Sequence, residues 1–215
     1  MIFIPICSRC VFIFSATATL LLFSESSSSG YNLEQAKTIL TNSGWEYKYN
    51  RWQKKENYKT LKLNLTLTVD SENSNRVAVA ENIKTHLEQI GIKITINKVS
   101  NSNYQKALQN KNYEMILTGV YNSYSPNLTS FFGANNLQNY SNEEMNNLLR
   151  EVKTITDDNL LKQKYKRIIE IYAEERPFVS LYRNKQTIVK SQNLAGEIKG
   201  NNYFSYYNLE SWNRI

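Results

Sequence analysis

Thiol and imidazole chemistry are nearly missing from this sequence. Among 215 residues there are two Cys and one His, and both cysteines, Cys7 and Cys10, sit in the apolar N-terminus. The remainder of the chain therefore has no disulfide framework and no reactive thiol. A Cys-x-x-Cys pair is half a zinc site at best, and further ligands are not supplied; two incidental thiols in a hydrophobic leader is the simpler reading. His86 falls off the centre of its helix's apolar stripe and reads as an exposed side chain, not a ligand. Equally missing are a nucleophile paired with a base, a Gly-rich phosphate loop and a cluster of metal ligands. No catalysis, cofactor or metal is expected.

What is present is a folding composition, 41% hydrophobic and 12% aromatic, with 15 Tyr and abundant Asn. Part of the Tyr and Asn content is explicable as AT-rich coding bias. The formal net charge is +7, and because Arg9 and Glu25 cancel within the first thirty residues, the excess lies beyond them. Its lysines are dispersed among glutamates, as in EEMNNLLREVKTI, so a solvated basic surface is favoured over a nucleic-acid site. A cell-surface location facing anionic lipid suits the same charge.

Residues 1–24 are apolar, and the run Val11 to Phe23 has the length of a signal-peptide h-region, although the basic n-region is reduced to Arg9. An uncleaved anchor is the alternative, weakened by Pro5 and Arg9. The cysteines come too early for a lipoprotein site. The segment 1–30 is thus expected to be a leader or anchor with a Ser-rich linker, or a non-native junction.

Beyond it, Asn32 caps a helix that Gly44 ends, and the polar stretch from Trp45 to Thr60 is a loop or hairpin. Leu61, Leu63, Leu65, Leu67 and Val69 alternate with polar residues as one strand. A helix follows with Val77, Ala80, Ile83, Leu87 and Ile90 on one arc, stopped by Gly91. A strand through Ile92, Ile94 and Ile96, a short helix with Tyr104 and Leu108 inward, and a third strand from Glu114 to Gly119 complete a β-α-β-α-β series. Helix-bearing connections make parallel strands, so an α/β layered domain is expected. Ser141 with Glu144 predicts a capping box ahead of Met145, Leu148 and Leu149. Leu161, Tyr165, Ile168 and Tyr172 stripe a second helix that ends before Pro177. Phe178 to Tyr182, Thr187 to Val189 and Tyr203 to Tyr207 read as a β-rich tail outside that pattern.

The organising stretch is Tyr113 to Gly133, YEMILTGVYNSYSPNLTSFFG. Met115-Ile116-Leu117 reads as a strand buried on both faces, and it empties into a loop of Tyr, Asn and Ser that closes on Phe131-Phe132-Gly133. A parallel sheet presents its ligand site at the carboxyl ends of its strands. Tyr offers stacking area and a hydroxyl, and Asn can pair with a peptide unit. Tyr121, Asn122, Ser123 and Tyr124 are therefore the candidate ligand residues, with Asn136 and Tyr140 second. The competing reading is that some of these pin the loop or fill the core.

From about Tyr31 to Ile215 the chain resembles the C-terminal portion of family 5 bacterial extracellular solute-binding proteins, the peptide- and nickel-binding components of ABC importers. The matching pieces are Gly44-Trp45 closing a helix, the alternating strand from Leu61, LEQIGIKITI, the Tyr104 to Leu108 helix, and YEMILTG. Ser125-Pro126 with Phe131-Phe132, Asn136 with Tyr140-Ser141-Asn142, and Arg176-Pro177 to Leu181-Tyr182 continue the series in order. The resemblance implies a periplasmic-binding-protein-like (type II) second lobe over residues 31–177. It implies that 178–215 cross back toward a first lobe that the chain does not include. It further implies a substrate-binding component that closes on peptides or peptide-like solutes without catalysis and passes them to ABC permease subunits, outside the cytoplasm and at the membrane. The alternative is a remnant or membrane-tethered interaction module that binds no solute. The family's peptide binders place an Asp soon after the strand's Gly to hold the ligand's amino terminus; here no acid stands between Gly119 and Pro126. A buried ammonium without a carboxylate costs several kcal/mol, so amine-anchored recognition is not expected.

Overall fold

The computed structural model describes the backbone of Cys10–Phe14 and residues 32–120, 128–182, 189–196 and 209–214. Its centre is a five-stranded sheet of β1 (Cys10–Phe14), β5 (Asn64–Asp70), β6 (Lys93–Val99), β7 (Met115–Gly119) and β8 (Phe178–Tyr182). The order is β6-β5-β7-β1-β8, and every pairing is parallel. Three of these strands are joined by helices, α2 (Ser74–Gln89) after β5 and α3 (Asn101–Asn110) after β6. This is the expected α/β layering.

Alternation along β7 assigns its side chains to two cores. Met115 and Leu117 join Leu67, Val69, Ala80, Leu87 and Ile94 on one face, where α1 (Leu33–Asn42) and α2 pack. Ile116 joins Tyr104, Phe132, Met145, Ile168 and Phe178 on the other, beneath α3, α5 (Glu143–Glu151) and α6 (Asp158–Glu175). A strand buried on both faces must be apolar at consecutive positions, which is what the run Met115-Ile116-Leu117 shows. Phe178, the first residue of β8, is packed against Phe131, Phe132 and Tyr172, with ring centroids 5.0 to 5.7 Å apart.

The helix ends follow from local chemistry. Asn32 and Asn73 accept hydrogen bonds from the N–H groups of Gln35 (2.9 Å) and Arg76 (3.0 Å). After α1 the Trp45 N–H returns to the Leu40 carbonyl and the Gly44 N–H to Thr41, the paired bonds of a Schellman stop. Gly91 makes the same stop after α2 at φ +83°, and a Cβ there would sit 2.3 Å from the Tyr47 ring. Position 91 thus needs glycine for both its dihedral and the space.

Three expectations are corrected. Phe178 to Tyr182, expected in a tail outside the β-α-β pattern, is β8, a parallel strand of the central sheet. The alternating run from Leu61 to Val69 is two strands: Leu61 belongs to β4 (Lys59–Lys62) and is exposed, while β5 begins at Asn64. With β2 (Glu46–Lys48) and β3 (Arg51–Glu56), β4 forms an antiparallel meander, two hairpins in succession in the stretch expected to be a loop or hairpin. Trp52 fastens it to the domain, buried and donating to the Ile90 carbonyl at 2.6 Å. Thirdly, α5 is capped by Asn142, which accepts from Met145 N–H at 2.8 Å, and not by Ser141. Glu144, the other half of the expected box, instead grips Arg167 of α6 through Nε (2.7 Å) and Nη2 (2.9 Å). His86 is exposed, as expected. Val189 lies outside any strand, and the stretches around Thr187 and from Tyr203 to Tyr207 are outside the described residues.

Candidate functional site

Because all five strands run the same way, β5, β6, β7 and β8 finish on one edge at Asp70, Val99, Gly119 and Tyr182. That carboxyl edge holds a cluster of polar side chains in an otherwise apolar sheet. Asp70 is buried, its Oδ1 accepting from Glu72 N–H (3.0 Å) and its Oδ2 from Asn101 Nδ2 (2.9 Å). The Glu72 carboxylate accepts from Asn101 N–H at 3.1 Å, and Ser71 N–H donates to Val99 at 2.8 Å. The turns leaving β5 and β6 are therefore laced together, and a buried carboxylate is made tolerable by its donors.

Arg76, in the first turn of α2, leans on this edge. Its Nη1 donates to the Tyr104 hydroxyl at 3.3 Å, and its guanidinium carbon stands 5.5 Å from the Tyr104 ring centroid. Tyr104 in turn donates its hydroxyl to the Leu117 carbonyl of β7 at 2.9 Å. Burial pushes the Tyr104 phenol above its usual value, so it stays a neutral donor and acceptor. Among the described residues Arg76 is in no ion pair, and its remaining donors suit a carboxylate or carbonyl. Sequence reasoning passed over Arg76. The signal available was a cation in the first helical turn, where the helix dipole disfavours it and where α2 has no acid.

The loop that follows β7 leaves from the same edge. Tyr121, Asn122, Ser123 and Tyr124 lie outside the described residues. Beyond them, α4 (Thr129–Phe132) buries Phe131 and Phe132, and a compact turn follows. Asn136 is 1% exposed. Its Nδ2 donates to the carbonyls of Gly133 (2.7 Å) and Tyr140 (2.6 Å), and its Oδ1 accepts from Tyr140 N–H (2.8 Å). Gln138 donates to the Phe131 carbonyl at 2.6 Å. Tyr140 packs edge-on against Phe132, and its hydroxyl has no partner of good geometry among the described residues. Burial first, and the nearby Glu175 carboxylate second, push its phenol well above the ordinary range.

The family model for bacterial extracellular solute-binding proteins, family 5 Middle, matches residues 15–142. The chain belongs to that family. Among curated proteins it is similar to the oligopeptide-binding protein AppA of Bacillus subtilis, 25% identical over 190 residues, which cover 85% of this chain and 34% of AppA. The chain thus spans about a third of the length of that relative. Among solved structures, AppA in complex with a nonapeptide superposes with a TM-score of 0.63 at 23% identity, over 86% of this chain and 38% of AppA. NikZ from Campylobacter jejuni in complex with Ni(L-His) gives 0.61 at 15% identity, over 90% and 42%. These likenesses give the family 5 binding-protein members the same α/β fold over the shared region. Among the described residues no three His, Cys, Asp or Glu side chains are grouped to hold a metal, and no helix is long and apolar enough to cross a membrane.

Proposed function

We propose that this chain is the partial substrate-binding component of an ABC importer, taking peptides or peptide-like solutes by closure of a facing lobe onto the carboxyl edge of its sheet, without catalysis. The observation that supports it is the polar edge itself: Asp70, Arg76, Asn101 and Tyr104 ordered by mutual hydrogen bonds beside the outlet of β7. Its relative AppA has been solved with a nonapeptide, which favours peptides over the nickel chelate of NikZ. In this reading Tyr121, Asn122, Ser123 and Tyr124 touch the ligand, and Asn136 and Tyr140 hold the turn that supports them. Arg76 offers a cation to a ligand carbonyl or carboxylate, in place of an acid for its amine. Permease subunits and an extracytoplasmic, membrane-associated location belong to the same proposal.

Calorimetry of the full chain with mixed peptides tests it. Binding heat that falls about tenfold or more in affinity on Tyr121→Ala and Tyr124→Ala supports the reading. No heat with the intact chain, together with self-association in solution, supports instead a chain that binds no solute of its own.

A further inference from the structure

The β2–β4 meander is unabsorbed by any ligand role, and its composition is lopsided. Between Glu46 and Lys62 six cations face two carboxylates, so +4 of the chain's formal +7 falls on this one hairpin pair. The strand register sorts these charges. Trp52 points into the domain, so Arg51, Gln53 and Lys55 share the opposite face of β3. Lys48 stands opposite Arg51, while Glu46 and Lys62 flank Gln53. The outer face is therefore a cationic plate with one acid, and that acid is taken by Lys48. Lys48 is thus offset by Glu46, while Arg51, Lys55 and Lys62 are in no ion pair among the described residues and carry the plate's excess charge.

The two ends of the plate are tipped by tyrosine. Tyr49-Asn50 and Asn57-Tyr58 form the connecting turns with φ of +54°, +61°, +46° and +63°, the left-handed pair of a type I′ hairpin. Gly or Asn fills such positions without strain; a tyrosine does not. Yet Tyr49 is 90% exposed and Tyr58 is fully exposed, so neither gains burial that would repay the backbone. An aromatic body with a polar tip, flanking a basic surface, is the composition of a membrane-interface contact. A duplex nucleic acid would also meet the charge, but its stacked bases offer no apolar layer for the exposed tyrosines at the two ends of strands some 20 Å long.

We propose that the outer face of this meander docks on an anionic lipid surface, with Arg51, Lys55 and Lys62 supplying attraction and Tyr49 and Tyr58 seating at the headgroup level. For a member of an extracellular family this is the outer surface of the cell membrane, and the contact would hold the sheet's carboxyl edge near that surface independently of what the edge binds.

The test is co-sedimentation of the full chain with vesicles of phosphatidylglycerol and phosphatidylcholine, or of phosphatidylcholine alone. Binding is expected to the anionic vesicles only, to fall steeply with salt, and to drop about a hundredfold in the variant R51E/K55E/K62E. The control K106E/K153E/K166E changes net charge equally away from the plate and should retain most of the binding. Tyr49→Ser with Tyr58→Ser should weaken binding while circular dichroism is unchanged. The proposal is overturned by equal binding to neutral vesicles, which would point to the apolar N-terminal run. It is overturned as well by equal loss in the two triple variants, or by tighter binding to a 20-mer DNA duplex than to anionic vesicles.

Discussion

Asn136 separates a ligand residue from a structural one, and replacing it with alanine should be costly to the fold. Three hydrogen bonds of 2.6 to 2.8 Å end on its side chain, and all three partners are backbone groups of the turn between Gly133 and Tyr140. Each bond contributes about 1 kcal/mol net, and each partner left buried without water costs somewhat more. The turn also carries the roof of the core, since Tyr140 at its end packs edge-on against Phe132. A loss of about 3 kcal/mol follows, a sizeable part of a stability that for most domains is 5–15 kcal/mol. Urea unfolding followed by circular dichroism, with the slope compared to the parent, measures it. Asn136→Asp should do no better, because it turns a two-proton donor into an acceptor facing two carbonyl oxygens. A cost below about 1 kcal/mol, paired with loss of peptide binding, would refute this reasoning and return Asn136 to the ligand.

Gly91→Ala should destabilise by about 2 kcal/mol or more, the sum of a left-handed dihedral and a clash with Tyr47, and adding Tyr47→Ala should recover only the clash; thermal melts of the three variants check this. The raised Tyr140 phenol gives an alkaline signature. The folded chain holds that proton more tightly than the unfolded chain, whose phenol titrates near the ordinary value of 10.0. Stability is therefore full below that pH and falls as pH rises above it, and urea midpoints taken on either side should show a smaller fall in Tyr140→Phe than in the parent. Identical falls would mean that Tyr140 is not shielded.

Elements whose evidence lies within one turn or one strand were readable from the residues. Gly44 and Gly91 ended their helices, and Met115 to Leu117 proved buried on both faces because a central parallel strand leaves no polar side. The run from Leu61 was misjudged because period-2 alternation does not say where a strand changes partners. Leu63 is the joint: its N–H still bonds the Trp52 carbonyl of the meander, while the next residue pairs with Lys93 of β6. The cap sits one residue beyond Ser141, at Asn142, whose side chain can fill the same role, and Glu144 pairs with Arg167, 23 residues away. Arg76 was missed for the same kind of reason, since the ring that holds it, Tyr104, is 28 residues on. Caps and stops are local; site chemistry at a sheet edge is assembled from three separate turns.

The N-terminal run shows the same limit of local patterning in its sharpest form. Cys10–Phe14 pairs with β7 along its whole length and with β8 on its other side. A five-residue strand with neighbours on both edges and helical layers on both faces needs unbroken apolar composition, and so does the h-region of a leader. Hydropathy cannot separate the two, because lipid and protein core reject the same side chains. Backbone pairing can. Seated in the sheet, these residues are paired along both edges, and Met115 and Ile116 have a partner on each side. Without them the facing edges of β7 and β8 would lie open, and an open parallel edge is a surface for pairing with another chain. Amide exchange along Met115 to Gly119 therefore reports on the N-terminal run more directly than any property of that run itself.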